Sequence, residues 1–427
     1  MNVSRVVPDT HHSGAFHAAR LAKLDGSFAP PTPGAGGEAD AQGGAAKPLL
    51  VNTTKLLARP SPPRVDRSAI VARYYLQSLA RKLLGRDKDF DRLNVCHRCL
   101  SYGEHVVKVM YSGEQKRARF KNLAVCGSVW LCALCAGRIT EGRRAELAKA
   151  IKNHHDNGGS VYFSTLTIPH TSADSLQPFQ AGFVAAEKLF RDSRFFRALK
   201  ASGALLGTIR AAEVTHWLNG WHYHAHMLWF LKDEVVVTRV IRRPGYAAWV
   251  RSVQRAGFSR LPSYQHGFYV APTYGAVDDY IAKYGQLPKK AAWGPESEMT
   301  KGYQKRGRLV GGQSAKHRSP FEILGDWGRS QNPRDAALFI EYARAFRGRQ
   351  QLRWSPGLRK SLLPDVADQS DLSLADASLP YEQLLGRLFI SDWEKILKHD
   401  QRGQVIDVAS TGDWSAVRAF IDGLGVA

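Results

Sequence analysis

Apolar and polar side chains alternate along residues 208–231, in two stretches rich in Val, Thr, Trp, Tyr and Leu. Such alternation is typical of strands that bury one face. Asn219 and Gly220 lie between the two stretches, and this dipeptide strongly indicates a two-residue type I′ turn. The pattern predicts a β-hairpin in which Leu218 pairs with Trp221.

One face of the predicted hairpin carries three histidines. His222, His224 and His226 occupy alternate positions, so their imidazoles project from the same side. The predicted register sets Thr215 opposite His224 and Glu213 opposite His226, and Cβ atoms of such partners lie about 4.5–5.5 Å apart. We therefore predict a metal site of Glu213, His224 and His226, with His222, nearer the turn, in support. The alternative for each histidine is an ordinary polar position. The opposite face, which is apolar and suited to packing, contains Val214, Tyr223, Ala225, Met227 and Trp229.

Other stretches also have clear periodicities. Residues 69–84 predict a basic amphipathic helix, and residues 161–168, VYFSTLTI, predict a strand with Thr165 and Thr167 on one face. Helical spacing continues over residues 176–200, and most of the chain beyond residue 319 is also helical in pattern. The predicted core residues of the helix at 176–200 are Phe179, Phe183, Ala186, Phe190 and Phe195.

The segment AVDDYIAKY at residues 276–284 predicts a helix that ends at a glycine. Tyr280 and Tyr284 are four residues apart and share one helix face, with Lys283 beside them. Two phenols and an ammonium group on one face are a candidate nucleophile cluster. The alternative is that both tyrosines belong to an apolar core stripe.

All five cysteines lie within 40 residues. An odd number of cysteines, in a chain with no export signal, argues against a disulfide framework and for a metal. Two CxxC pairs suit tetrahedral zinc, because each pair places two thiolates on one tight turn. The predicted ligands are Cys96, Cys99, Cys132 and Cys135, with Cys126 and His97 as substitutes. Buried reduced cysteines without metal are the alternative.

The chain has 427 residues, of which 44% are hydrophobic, and this length allows two or three domains. Its formal net charge of +22 points to a polyanionic partner, most often nucleic acid. The sequence has neither an apolar run of about 18 residues nor a signal-peptide core. We therefore expect a soluble, cytoplasmic protein with no membrane partner.

Three stretches occur in an order that resembles a known family. FSTLT, GWHYHAHMLWFL and DYIAKY resemble, in sequence order, the three motifs of the HUH endonucleases that initiate rolling-circle replication. The likeness is greatest to replication (Rep) proteins related to those of Gram-positive rolling-circle plasmids. The cysteine segment CGSVWLCALCAGRITEGRRAEL is similar too, and the resemblance covers about residues 95–360.

The resemblance implies an α+β fold with an HUH endonuclease-like central antiparallel sheet flanked by helices. By matching motif positions, His224 and His226 would bind a divalent cation, Mg²⁺ or Mn²⁺, and Tyr284 would be the nucleophile. Some plasmid relatives have a glutamate at the position of Tyr280, whereas phage initiators have a second tyrosine there. The chain departs from the former and resembles the latter. Lys283 would stabilise phenolate or phosphate charge.

Four parts of the chain are expected on this basis. Residues 1–66 would be a disordered leader rich in Pro, Gly and Ala. Residues 67–156 would hold the basic helix and the Cys-rich zinc-binding segment, residues 157–320 the nicking domain, and residues 321–427 a mainly helical C-terminal region.

The implied activity is that of an initiator of plasmid DNA replication. The protein would bind origin DNA, nick one strand to leave a 5′-phosphotyrosine and a free 3′-OH primer, and later rejoin the strands. A host helicase and DNA polymerase would be partners, because the chain has no convincing GxxxxGK[ST] phosphate loop.

Three other interpretations remain open. The first is a non-catalytic, zinc-containing DNA-binding or replication-accessory protein. The second is an HUH transposase or relaxase, although relaxases usually place the tyrosine motif before the histidine motif. The third is an iron oxygenase with two histidines and one carboxylate, which would give no role to the tyrosines, the cysteines or the positive charge.

Overall fold

The computed structural model describes residues 67–235, 238–273 and 317–425. Tyr280, Lys283 and Tyr284, together with the N-terminal leader, lie outside the described residues. Within the described ranges the chain is α+β, as predicted, with two antiparallel sheets surrounded by helices.

Eight strands form these two sheets. In chain order they are β1 (Val107–Ser112), β2 (Arg117–Lys121), β3 (Ser160–Thr167), β4 (Leu205–Trp217), β5 (Gly220–Leu231), β6 (Phe268–Pro272), β7 (Leu352–Trp354) and β8 (Gln383–Leu388). The large sheet has the order β6-β3-β5-β4-β7, and the small sheet has the order β2-β1-β8. All neighbouring strands are antiparallel.

Helices account for most of the remaining described chain. They are α1 (Arg67–Leu84), α2 (Asp91–Val95), α3 (Ala133–Asp156), α4 (Leu176–Arg191), α5 (Arg194–Ala201), α6 (Arg243–Arg255), α7 (Pro320–Ser330), α8 (Pro333–Phe346), α9 (Leu358–Leu362), α10 (Asp371–Asp376), α11 (Ile390–Lys398), α12 (Arg402–Ala409) and α13 (Trp414–Asp422). A 3₁₀ turn covers Lys88–Phe90, and a π-helical turn covers Thr238–Arg242. Each helix in the described ranges is too short or too polar to cross a lipid bilayer.

Aromatic side chains fill the space between the large sheet and helices α4 and α6. Phe183 of α4 packs against Tyr223 of β5 with 4.8 Å between ring centroids, and Phe190 packs against Trp249 at 5.8 Å. Trp229 is fully buried in the same layer. The apolar face predicted for the hairpin is therefore confirmed, and burial of each large side chain stabilises the fold by about 1.5–3 kcal/mol.

The second face of the large sheet packs on different helices. Leu147 of α3 and Leu358 of α9 cover an apolar area that includes Phe163, Ile209 and Leu228. Farther along the strands, towards the β4–β5 turn, the same face becomes polar and carries the histidines. The helices therefore bury one end of this face, and the polar side chains, including His222, His224 and His226, occupy the other end, which we call the polar row.

The register of the hairpin differs from the predicted one by two residues. Trp217 pairs with Gly220, and Glu213 pairs with His224 instead of His226. The reason is the turn: Gly220 has a left-handed φ of +83° but Asn219 does not, whereas the predicted type I′ turn needs a left-handed φ at both residues. This combination is expected when a type I turn is followed by a left-handed glycine and a bulge. A Cβ atom on Gly220 would lie 2.9 Å from the backbone Cα of Ser172, so only glycine fits. Because a shift of two residues preserves side-chain direction, Glu213 keeps the predicted face.

The helical segment predicted at residues 176–200 is two helices. Ser193 begins the second one, since its hydroxyl accepts a hydrogen bond from the backbone N–H of Phe196 at 3.2 Å. Phe196 and Leu199 are consequently the buried side chains of the second helix, whereas Phe195 is only half-buried.

From Pro320 onward, the described chain contains helices α7 to α13 and also contributes strands β7 and β8. Strand β8 pairs with β1 in the small sheet, so this region completes the sheet of the Cys-rich segment. Arg119 of β2 is almost fully buried and donates two hydrogen bonds of 2.7 Å to Glu382. Residues 364–378, which are polar in composition, contain α10, and Arg143 of α3 donates to Asp371 there at 2.8 Å.

We expect Phe190→Ala to lower the free energy of unfolding by about 3–5 kcal/mol, because it removes a fully buried ring and leaves a cavity. The measurement is urea unfolding followed by tryptophan fluorescence. Phe389→Ala is the matched control: Phe389 is 67% exposed, so the same substitution should change stability by less than about 0.5 kcal/mol. Equal losses in both variants would contradict this description of the core.

Candidate functional site

Glu213, His224 and His226 converge at the turn end of the β4–β5 hairpin. The Glu213 Oε2 atom lies 3.0 Å from Nε2 of His226 and 3.4 Å from Nε2 of His224. The two Nε2 atoms are 3.2 Å apart. All three side chains are buried. One carboxylate oxygen and two imidazole nitrogens therefore face a common point, as the sequence predicts.

Strand β3 holds the ring of His226 from the other side. Thr165 pairs with His226 across the β3–β5 ladder, and its Oγ1 lies at hydrogen-bond distance, 3.0 Å, from His226 Nδ1. The ring of Phe163 lies 4.9 Å from the same imidazole. A partner on Nδ1 fixes the orientation of the ring and directs Nε2 towards the cluster, as in many histidine-metal sites.

His224 has a less complete environment. Its Nδ1 atom is buried and has no hydrogen-bond partner among the described residues. Nε2 is the nitrogen that faces Glu213 and His226, so an ion at the cluster would bind Nε2 and leave Nδ1 for ordered water.

Three further histidines, His222, His170 and His317, lie beside the cluster. The ring of His222 is 5.0 Å from those of both His224 and His170, and 6.3 Å from that of His317. Burial, together with the neighbouring His224, lowers the pKa of His222 to about 3, so His222 is neutral near pH 7. His222 thus lies beside His224 and is not one of the three converging side chains.

His170 and His317 were not identified from the sequence. His170 follows the end of β3, and His317 directly precedes Arg318, whose backbone N–H and C=O bond to those of His216 at 2.9 Å. This bridge brings His317 against Trp217, with ring centroids 4.6 Å apart. Both histidines reach the site only through long-range packing, so no local pattern could have identified them.

The donor set fits a divalent cation. One ligand atom from each of Glu213, His224 and His226 lies within 4.8 Å of the other two. Imidazole suits zinc, iron and copper, whereas carboxylate suits magnesium, calcium and manganese, so this mixed set accepts several ions. Three protein ligands also leave coordination positions for a substrate or water.

A second cluster consists of four buried cysteines. They are Cys96, Cys126, Cys132 and Cys135. The Sγ atom of Cys96 lies 3.7 Å from that of Cys132 and 3.6 Å from that of Cys135, and the Sγ atoms of Cys126 and Cys135 are also 3.6 Å apart. Sulfurs bound tetrahedrally at about 2.3 Å from one zinc are about 3.8 Å apart. The observed spacing therefore matches a four-thiolate metal site.

The structure brings Cys126, and not Cys99, into this cluster. His97 has a left-handed φ of +50°, and beyond it Cys99 lies at the exposed surface. Cys126 takes its place from the loop after β2, where its backbone N–H donates to Cys96 Sγ at 3.3 Å. His97 is buried beside the cluster but is not one of the four converging side chains.

The thiols of this cluster have strongly perturbed acidities. Hydrogen bonds from Cys126, and then from Cys132 and Cys96, hold the pKa of Cys135 well below its ordinary value. Burial has the opposite effect on Cys132 and raises its pKa. At least one thiolate is thus stabilised within the group, and a thiolate is the form of cysteine that binds metals.

We expect Thr165→Val to weaken Mn²⁺ binding by about 10–100-fold, because it removes the hydrogen-bond partner of His226 Nδ1 while conserving side-chain shape. Calorimetric titration of the zinc-replete protein is the measurement. Thr167→Val is the matched control, since Thr167 lies on the same strand face but donates to the backbone oxygen of His266 at 2.7 Å. A comparable loss in the control would contradict the role assigned to Thr165.

Cys126→Ser should reduce tightly bound metal to well below one ion per chain, because it removes one of four converging sulfurs. Cys99→Ser, at the exposed cysteine, should retain the metal. Elemental analysis after gel filtration measures the content, with circular dichroism to confirm folding. Loss of metal from the Cys99 variant alone would favour the two CxxC pairs as the ligands.

Known proteins share partial similarity with this chain. A protein named "Protein rep" from Streptomyces lividans is 27% identical over 318 residues, which cover 58% of this chain and 67% of that protein. "Protein rep" from Lentilactobacillus hilgardii is 32% identical over 24% of this chain and 32% of its own length. A "Neomycin resistance protein" from Streptomyces cyanogenus is 28% identical over 25% of this chain and 30% of its own. No protein-family model matches, and no solved structure matches significantly. The chain therefore matches about two thirds of the length of the first relative and about a third of the other two.

Proposed function

We propose that this protein initiates rolling-circle replication of a plasmid, by binding the origin and nicking one DNA strand through tyrosine attack. The observation that carries the proposal is the convergence of Glu213, His224 and His226 on one face of an antiparallel sheet. Similarity to two proteins named "Protein rep", and the order of the three sequence motifs, support it.

The buried cluster would serve to hold the scissile phosphate. A divalent cation at Glu213, His224 and His226, Mg²⁺ or Mn²⁺ by resemblance to the HUH family, supplies Lewis-acid neutralisation of phosphate charge when bound. The protein's own contribution is rigidity. Thr165 fixes the ring of His226, and strands β3, β4 and β5 fix the three backbones, so the ligand atoms need little rearrangement to bind.

Tyr284 is the proposed nucleophile. Its phenol oxygen would form a bond to phosphorus while the bond from phosphorus to the 3′ oxygen breaks, and the phenol proton would pass to the leaving 3′ oxygen. The products are a 5′-phosphotyrosine and a free 3′-OH. A free phenol has a pKa of about 10, so the reaction needs nearby positive charge, and Lys283 would supply part of it.

Tyr280 would allow a second strand transfer. Its phenol, four residues before Tyr284 in the sequence, could attack a new phosphodiester before the first covalent end is released. The two tyrosines would thus support both nicking and later rejoining.

The remaining features fit a protein that handles DNA. The net charge of +22 favours binding to a polyanion, and zinc at the four cysteines would tie the loop after β2 to the start of α3. We propose origin DNA as the direct partner. A host helicase would unwind the duplex, and a host polymerase would extend the 3′-OH.

The test is incubation of the protein with single-stranded DNA from its own plasmid origin and Mn²⁺, followed by a denaturing gel. We expect a covalent protein-DNA adduct that Tyr284→Phe and metal chelation both reduce to background. Tyr102→Phe is the matched control, since Tyr102 is fully exposed in a loop and should leave the yield unchanged. Tyr280→Phe should retain nicking and lose strand closure.

The absence of an adduct with every origin-derived strand would refute nicking and favour a non-catalytic DNA-binding protein. Adduct formation at transposon ends, but not at the origin, would favour a transposase. Metal-dependent oxygen consumption without DNA cleavage would favour the oxygenase.

A further inference from the structure

A basic recess lies on the face of the hairpin opposite to the histidines. It is a small, open recess between β4, β5, helix α4 and the segment that leads into β7. The side chains that matter for its chemistry are Gln180, Arg210, Tyr223, Phe346, Arg349 and Arg353. The proposed nicking reaction uses none of them.

Positive charge is concentrated in this recess. Arg210 of β4 is directly opposite Arg353 of β7 in the antiparallel ladder, and like charges in this position repel each other. Arg349 is the third guanidinium lining the recess. Burial lowers the pKa of Arg353, and the charge of Arg210 lowers it further, as expected for crowded cations.

One carboxylate offsets part of this charge. Glu187 of α4 is buried and forms an ion pair with Arg210, while Arg191 lies 3.8 Å from its second oxygen. Within the described residues, neither Arg349 nor Arg353 forms an ion pair. Arg349 and Arg353 therefore line the recess without a direct ion pair, although the nearby carboxylate of Glu187 acts to raise the pKa of Arg353.

The floor of the recess offers a polar group without a partner. The side chain of Gln180 is only 2% exposed, and its Oε1 atom has no hydrogen-bond partner in the described chain. Rotation of the amide by half a turn would present the NH₂ group instead. Tyr223 lies beside it, and burial raises the pKa of this phenol, so its hydroxyl keeps its proton and can donate.

We propose that this recess binds a phosphate group, carried by a free nucleotide or by a DNA strand. Arg349 and Arg353 would contact the anion at the mouth, and Gln180 and Tyr223 would form hydrogen bonds with it at the floor. The planar fork of a guanidinium group matches two phosphate oxygens, and a phosphate has more acceptor atoms and more charge than a carboxylate. Binding would relieve the repulsion between Arg210 and Arg353.

The test is titration of the full-length protein with inorganic phosphate at constant ionic strength, followed by calorimetry and by thermal unfolding. We expect saturable binding and a rise in Tm. Arg353→Gln and Arg349→Gln should each weaken the affinity by about 10–150-fold, the loss expected for one hydrogen bond to a charged group. Arg255→Gln is the matched control, because Arg255 is an exposed arginine of α6 that does not line the recess.

Two further binding titrations distinguish whether the phosphate belongs to a nucleotide or to a DNA strand. Stronger binding of a deoxynucleoside monophosphate than of inorganic phosphate would identify a nucleotide, with its base against Phe346. Stronger binding of a 5′-phosphorylated oligonucleotide than of the same strand without phosphate would identify a DNA end.

Equal loss of affinity in Arg353→Gln and Arg255→Gln, no saturable binding by the unsubstituted protein, or an equal response to acetate would overturn the proposal. Since Tyr284→Phe should not alter phosphate binding, failure of the nicking proposal would be seen separately.

Discussion

Side-chain alternation in the β4–β5 hairpin is the constraint that determines which residues lie on each face of the large sheet. Successive residues of a strand point in opposite directions, so one register sets the composition of both faces together. Glu213 and His224 meet on one side because they are direct partners, and the next residues, Ala212 and Ala225, meet on the other. A slip of one residue would send the imidazoles into the aromatic core and Trp229 towards the polar row. The packing of that core against α4 and α6 therefore also holds the metal-ligand residues in place.

Local sequence patterns were sufficient for the parts of the fold that depend on local physics. Period-two alternation identified the hairpin, its two faces and strand β3, and helical spacing identified α1 and α4. The pattern did not give the register, because the same Asn-Gly pair fits two turn types, and they differ in the φ of Asn219, which is not left-handed here. Nor did it identify the fourth cysteine of the cluster. The CxxC spacing favours Cys99, whereas the loop after β2 brings in Cys126 from 30 residues away.

Buried polar atoms without a partner occur on both sides of the hairpin, and they also occur elsewhere in the described chain, for example at Gln77 and His97. The His224 Nδ1 atom on one face and the Gln180 Oε1 atom on the other are buried without partners in the described chain. Elsewhere the protein pairs its charges well, as in the two short hydrogen bonds from Arg119 to Glu382. What distinguishes His224 and Gln180 is their surroundings: the first lies in a cluster of metal-ligand side chains and the second in a recess lined by three arginines.

The pairing of β1 with β8 has a consequence for how the chain folds during synthesis. Ser112 donates its hydroxyl to the carbonyl of Pro380, 268 residues later, and Ala118 donates to the hydroxyl of Ser410, 292 residues later. Contacts of such high sequence separation form late, because the ribosome must first release the intervening chain. The small sheet of the cysteine-bearing segment is thus complete only after β8 (Gln383–Leu388) has been synthesised. A truncated translation product would contain all four clustered cysteines and the hairpin, yet its β1 strand would have an open edge, which is a site for aggregation.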